Sequence, residues 1–275
     1  MDIRDLTKTT FIIPVKIEHK DRYRNAQTTL NFLNRHFITN VIIHESSSSG
    51  KTRLDYLDSL SNLNITLMEN LEEPSFHRTK YLNQMLDIVE TPVVVNYDID
   101  VILDPENYLE CQNQILSGES EVIYPYEKGM GQMQVLDSFD YEAFANSGYD
   151  INFINNSGKT NRNLSECGHC IFFKTEVYRK YGGENEHFIS YGPEDKERMY
   201  RFQKLSTVKW AEGRFVYHFE HYRGSDSWVT NPHFNANWGV FENIKNMSNT
   251  DLLNHYTNPE YSANYKNICK TGITI

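Results

Sequence analysis

Pro92-Val93-Val94-Val95-Asn96-Tyr97-Asp98-Ile99-Asp100 decides the fold. The apolar run reads as a short strand buried on both faces. Two carboxylates, one residue apart, then sit at its carboxyl end. A carboxylate at the end of a buried strand is costly unless it faces a cleft, a cation or a ligand. In an open α/β sheet, ligands gather outside the carboxyl ends of the strands. The placement predicts a divalent metal and, through it, a phosphorylated ligand. In isolation Asp-x-Asp is short and common, and a polar turn after an edge strand describes it equally well.

Outward from this stretch, the first half has a βαβ rhythm. Residues 9–15 read as a strand, 22–37 as a helix and 41–45 as a second strand running into the serine loop 46–50. A weak strand near 65–67 and a helix over 78–89, with Leu82, Met85, Leu86 and Val89 at helical spacing, lead back to Val93. The rhythm predicts a largely parallel, doubly wound sheet. The second half is less regular. A helix over 107–116, a strand over 121–124, loops with a short helix near 139–145 across 128–165, and a strand over 170–173 are expected. Helices over 175–181 and 193–204, a strand over 215–218 and one amphipathic helix over 240–256 complete the reading. No repeat or linker is evident, so one α/β domain over residues 1–275 is expected. Its nucleotide-binding half spans about 1–105, its acceptor half about 106–240 and a helical tail 241–275.

Length and composition agree. A chain of 275 residues supports a large core, and 18 Tyr and 15 Phe make both core and cleft aromatic. The net charge of −10 argues against nucleic acid as a partner, and an anionic ligand needs a cation or a local basic pocket. No stretch approaches the roughly 18 apolar residues of a membrane span. The start lacks a signal-peptide core, so an untrimmed chain is expected in the cytoplasm, with peripheral contact at the inner membrane face compatible. Cys111, Cys167, Cys170 and Cys269 are too few and scattered for a disulfide scaffold. Four Asn-x-Ser/Thr sequons, at Asn64, Asn155, Asn163 and Asn246, are taken as chance without a secretion signal.

Four further motifs bear on chemistry. In Tyr191-Gly192-Pro193-Glu194-Asp195, proline suits a helix start and both acids fall in the first turn. There they either complement the helix dipole or are held ionised toward a cleft, as a general base requires. His218-Phe219-Glu220-His221 follows a strand, and imidazole with carboxylate suits Mn. Cys167-Gly168-His169-Cys170 matches a dithiol motif, but Ile171-Phe172-Phe173 after it favours a strand rather than the helix that would stabilise a thiolate. Gly168 instead marks a close backbone approach to a ligand. Arg78 and Lys80 open a helix, where cations oppose the dipole, and make sense if they face an anion.

Taken in order, these pieces resemble a GT-A glycosyltransferase, above all the β-1,4-galactosyltransferase family and its bacterial family-2-like relatives. Ile12-Ile13-Pro14-Val15-Lys16 stands where that family has Pro-Phe-Arg, and His77–Asn83 resembles its Asn-Arg-Ala-Lys-Leu-Leu-Asn. Asp98-Ile99-Asp100 resembles its Asp-x-Asp, Tyr191–Asp195 its Trp-Gly-Gly-Glu-Asp, and His218–His221 its Met-x-x-His. The resemblance spans roughly residues 10–225. It implies a GT-A, Rossmann-like domain with a central, mostly parallel mixed sheet, a UDP-sugar donor and a glycan or glycoconjugate acceptor. It implies Mn²⁺, with Mg²⁺ as the alternative, on Asp100 and His221, and His218 where the family has Met. Asp98 would contact ribose or donor sugar, and Glu45 would read uracil. Asp195 would be the catalytic base, and Glu194 a sugar contact. Pro14, Lys16, Arg78, Lys80, Gly168, His169 and Tyr191 would complete the donor and acceptor sites. Asp at position 195 implies inversion. Tyr191, Pro193 and His169 depart from the family pattern, which leaves the acceptor platform and the donor sugar open. A non-catalytic nucleotide-sugar or carbohydrate-binding module, and a thiol oxidoreductase on Cys167 and Cys170, are the competing readings.

Overall fold

The computed structural model describes residues 3–224 and 227–258. Its first half alternates strands with helices. The strands are β1 (Arg4–Val15), β2 (Phe37–Ser47), β3 (Leu63–Leu71) and β4 (Val93–Tyr97), and the helices α1 (Lys20–His36) and α2 (Arg78–Asp87). Then come β5 (Val101–Leu103), α3 (Pro105–Leu116), β6 (Val122–Tyr124), β7 (Gly129–Val135), α4 (Tyr141–Asn146), α5 (Ile151–Asn156), β8 (Thr160–Ser165) and β9 (Cys170–Lys174). The remainder is α6 (Thr175–Lys180), α7 (Glu194–Leu205), β10 (Val208–Trp210), β11 (Val216–Phe219), α8 (Phe234–Lys245) and α9 (Asn249–Thr257).

The valine run is β4, buried at every position, in the middle of a seven-stranded sheet of order β10-β6-β9-β4-β1-β2-β3. Strands β1 to β4 pair in parallel, as the βαβ rhythm predicts. Strand β9 enters antiparallel between β4 and β6, so the sheet is mixed. Strands of both halves of the chain share this sheet. A second sheet of order β5-β11-β7-β8 stands beside the end of β4.

Aromatic residues lock the joint between the sheets. Tyr97 ends β4 and its buried hydroxyl donates to the Val101 carbonyl at 2.6 Å. The Tyr108 hydroxyl accepts from the Leu103 amide at 3.0 Å and lies 2.7 Å from that of Tyr97. Buried phenols need such partners. Here the partners are the backbone of the Asp98–Val101 turn, which is thereby pinned. Asp104 then caps α3 through the Glu106 amide, with Pro105 in the first turn.

Two expectations are corrected. Residues 128–165 are not loops with one short helix but carry β7, α4, α5 and β8. β8 is polar and largely exposed, so its order comes from pairing with β7 and not from an apolar face. The helix expected over 240–256 is two helices. α8 starts earlier, at Phe234, and α9 starts anew where Ser248 accepts from the Asp251 amide. Strands β5 and β10, three residues each, carry too little pattern to be read from sequence. Of the proposed tail, 259–275 lies outside the described residues, as does Cys269.

Candidate active site

The turn after β4 opens into a cleft of about 270 Å³. Its wall includes Pro14, Lys16, Arg78, Asp98, Asp100, Gly168, His169, Tyr191, Glu194, Asp195, His218 and His221. Sequence-distant segments meet here because of strand pairing. β5 runs antiparallel to β11 with Val101 opposite His218, and the Phe219 amide donates to the Asp100 carbonyl at 2.9 Å. β9 runs antiparallel to β4 with Cys170 opposite Tyr97, and the Asp98 amide donates to the His169 carbonyl at 2.8 Å.

Asp100, His218 and His221 form the one group of potential metal ligands found among the described residues, their donor atoms all within 4.8 Å of one another. Asp100 Oδ1 lies 3.6 Å from His218 Nε2, and Oδ2 lies 3.1 Å from His221 Nε2. Both imidazoles are oriented through their other nitrogen. His221 Nδ1 faces the Tyr222 carbonyl at 2.7 Å, which can only accept, so this nitrogen carries the proton. Gln134 Nε2 donates to the His218 carbonyl at 3.1 Å, which turns the amide oxygen toward His218 Nδ1 at 2.9 Å. That nitrogen is therefore the protonated one. Both Nε2 atoms then face the Asp100 carboxylate, and the three donor atoms converge where a cation could sit. Burial pushes His218 down to about 3, against the pull of the Asp100 charge. Burial works to raise Asp100, but His218, His221 and Arg22 outweigh it and hold the carboxyl well below its usual range. One carboxylate and two imidazoles suit Mn better than Mg, and three ligands leave coordination positions open.

A second cluster lines the other part of the cleft. Arg78, at the start of α2, donates to Asp98 at 2.7 Å and to Asn96 at 3.0 Å, and lies 3.6 Å from Asp195. Arg198, fully buried on α7, sends both terminal nitrogens to Asp195 Oδ1, at 2.8 and 2.7 Å. Burial raises the Asp195 carboxyl, yet Arg198 and then Arg78 overcome it and keep the group ionised, below the ordinary range. Its neighbour behaves oppositely. Burial, then the Asp195 charge, push Glu194 well above the usual range, and Glu194 Oε2 has no hydrogen-bond partner. Adjacent carboxyls split in this way can divide base and hydrogen-bond donor roles. Gly168 sits against Asp195. A Cβ there would stand 2.9 Å from Asp195 Oδ2, and the backbone holds φ +97°.

No family model and no curated protein matches the chain. Solved structures do. Staphylococcus aureus TarS, a GT-A glycosyltransferase, matches over 92% of this chain and 43% of its own, at 13% identity and a TM-score of 0.55. TarS 1–349 in complex with UDP-GlcNAc matches over 92% and 72%, at 14% identity and 0.55. The same fragment in complex with UDP matches over 97% and 75%, at 14% identity and 0.52. The fold is that of the GT-A glycosyltransferases. The present chain spans less than half the length of full TarS.

In the GT-A cleft of this chain, most of the residues singled out from sequence converge, and two do not. Glu45 ends in the core of its own loop. Its carboxylate accepts from Thr52 Oγ1 and the Arg53 amide, and it does not line the cleft. Lys80 pairs with Glu73 at 2.7 Å and also lies outside the cleft wall. Helix α2 therefore turns Arg78, not Lys80, to the site. Lys16 stays in the wall while pairing with Glu18 and Glu72, each at 2.7 Å. Tyr191 stacks on Phe234 of α8, with ring centroids 6.1 Å apart. Pro193 is the cap before α7 rather than its first residue. Cys167 and Cys170 are free, and burial pushes Cys167 up to about 12 and Cys170 well above its usual value. Neither has the stabilised thiolate that dithiol chemistry needs.

Sequence reading missed several cleft residues. Arg22 of α1 lies 3.4 Å from Asp100 Oδ2, and Arg223 joins the wall from the loop after His221. With Lys16 and Arg78 they set four cationic side chains in the wall beside the carboxylates of Glu18, Asp98, Asp100, Glu194 and Asp195. Asn237 of α8 donates to the Ile189 and Tyr191 carbonyls at 2.9 and 3.1 Å and shapes the turn before α7. No helix among the described residues is long and apolar enough to cross a membrane.

Proposed function

We propose that this chain is a metal-dependent, inverting glycosyltransferase. It moves a hexose or N-acetylhexosamine from a UDP-sugar to a hydroxyl of a glycan or glycoconjugate, in surface polysaccharide or glycoconjugate synthesis. One observation carries the reading. A single cleft holds a three-ligand cluster, Asp100, His218 and His221, and a separate carboxylate, Asp195, kept ionised by two arginines. The GT-A fold and the UDP-GlcNAc and UDP complexes of TarS support the donor class.

A divalent ion held by the cluster, Mn²⁺ in preference to Mg²⁺, would neutralise the diphosphate leaving group and act as Lewis acid. The protein's own groups do the rest. Lys16, Arg22 and Arg223 surround the diphosphate with positive charge. Asp98, held by Arg78, orients the ribose or donor sugar. Asp195 takes the proton from the acceptor hydroxyl through Oδ2 while the hydroxyl oxygen bonds to the anomeric carbon. The anomeric C–O bond to the diphosphate breaks on the opposite face, and UDP leaves with the electron pair. Configuration is inverted. Glu194, carrying its proton, donates a hydrogen bond to a sugar oxygen.

The test is a UDP-release screen with Mn²⁺, mixed acceptors and UDP-Gal, UDP-GalNAc, UDP-Glc and UDP-GlcNAc as donors. Release with at least one donor, lost on chelation, is expected. No release with any of them, together with no calorimetric binding of UDP, overturns the reading.

A further inference from the structure

Asp195 is held by a residue that never reaches the cleft. Arg198 is fully buried and contributes its side chain to two carboxylates at once. On one side its terminal nitrogens grip Asp195 Oδ1. On the other, Nε donates to Glu184 Oε1 at 2.6 Å and a terminal nitrogen to Glu184 Oε2 at 3.1 Å. The second set is the two-pronged fit of a guanidinium on a carboxylate, which fixes the plane of the arginine. Glu184 is itself 1% exposed. Its amide accepts no freedom either, since it donates to Asn83 Oδ1 at 2.8 Å, and Tyr178 donates to Oε1.

The grip has a second end. Asn96 donates to Glu184 Oε1 at 3.3 Å and accepts from Arg78 at 3.0 Å. Arg78 in turn holds Asp98 and lies beside Asp195. Asn96 is a neutral amide and its contact is the longest of the set, so donor-side Asp98 is linked to Glu184 only through two intermediaries, whereas Asp195 is gripped directly by Arg198.

We infer that Glu184 is a positioning residue for the transfer reaction: through Arg198 it fixes the Asp195 carboxylate with Oδ1 occupied and Oδ2 turned to the cleft. The inference rests on Asp195 being the base. Glu184 touches no reacting atom, and its effect is on turnover rather than on donor binding.

Glu184→Gln removes the charge and sets an amide donor against an arginine donor. It is expected to lower kcat by about ten- to a hundredfold, the scale of a misplacement near 1 Å. The donor KM and the Kd for UDP stay within about twofold of wild type. Arg198→Lys keeps the charge, cannot fork, and gives the same split; it carries the test if Glu184→Gln does not fold. A crystal structure of either variant should place Asp195 away from its wild-type position. Wild-type kcat in both variants, or an equal loss in kcat and in UDP affinity, overturns the inference. So does an unmoved Asp195 carboxylate. If the wild-type protein releases UDP from no donor, the transferase reading fails, and the position of that carboxylate still decides the positioning claim.

Discussion

Gly168→Ala is the sharpest perturbation of the site, because the structure sets its size. The residue holds φ +97°, where an L side chain is strained, at a cost of about 1–3 kcal/mol. At roughly 2–4 °C of melting temperature per kcal/mol for a chain near this size, several degrees of Tm should be lost. The new Cβ would also stand 2.9 Å from Asp195 Oδ2, against 3.4–4 Å for ordinary contact. Half an ångström of movement is needed, and the carboxylate is not free to supply it. Its other oxygen is gripped by Arg198 at 2.7–2.8 Å, and Arg198 is gripped by Glu184. A misplaced base costs about a hundredfold in turnover. The assay is UDP release at saturating donor with Mn²⁺, beside calorimetric titration of UDP, which reads donor binding separately from turnover. Turnover within about twofold of wild type would refute the steric argument. An equal loss of UDP binding would refute its confinement to the acceptor half.

Other expectations follow from the same geometry. Asp195→Asn should abolish transfer while UDP binding persists, as calorimetry and UDP release together would register; near-normal turnover removes Asp195 as base. Asp100→Ala should lose Mn²⁺-dependent UDP binding, and unchanged binding with and without Mn²⁺ would count against the metal site. His44, buried on β2 and stacked on Tyr81, is pushed down to about 4 by burial, from an ordinary value of 6.5. Between those values the unfolded chain holds the proton and the folded chain does not. Stability should therefore fall as pH drops through 6.5 toward 4, by up to about 3 kcal/mol from this group, and be insensitive to it above pH 6.5. Denaturation against pH for His44→Asn should lose about one proton's worth of slope in that window, and an unaltered slope would discount the burial argument.

Much of the architecture was legible in the chain itself. The valine run before Asp98 and the alternation of apolar strands with periodic helices are local patterns, and they specify the parallel half of the sheet. The second half was read less well for physical reasons. β8 is ordered by backbone pairing and has no apolar face, and β5 and β10 are too short to show a period. The separation of α8 from α9 rests on a single serine cap.

Residue type and order alone determined which side chains have the chemistry for a site: Asp98, Asp100, Glu194, Asp195, His218 and His221. Which of them meet was decided only by tertiary structure. β5 pairing with β11 sets His218 beside Asp100, and the β4–β9 pair brings Gly168 and His169 to Asp98. Tertiary packing also removed two candidates, since Glu45 and Lys80 are satisfied by neighbours outside the cleft. It added Arg22, Arg198 and Glu184, whose charges mean nothing until the fold buries them against a partner. The opposite behaviour of Glu194 and Asp195 has the same origin. Burial raises both adjacent carboxyls, but two arginines on one oxygen of Asp195 overcome it, while the Asp195 charge adds to it at Glu194.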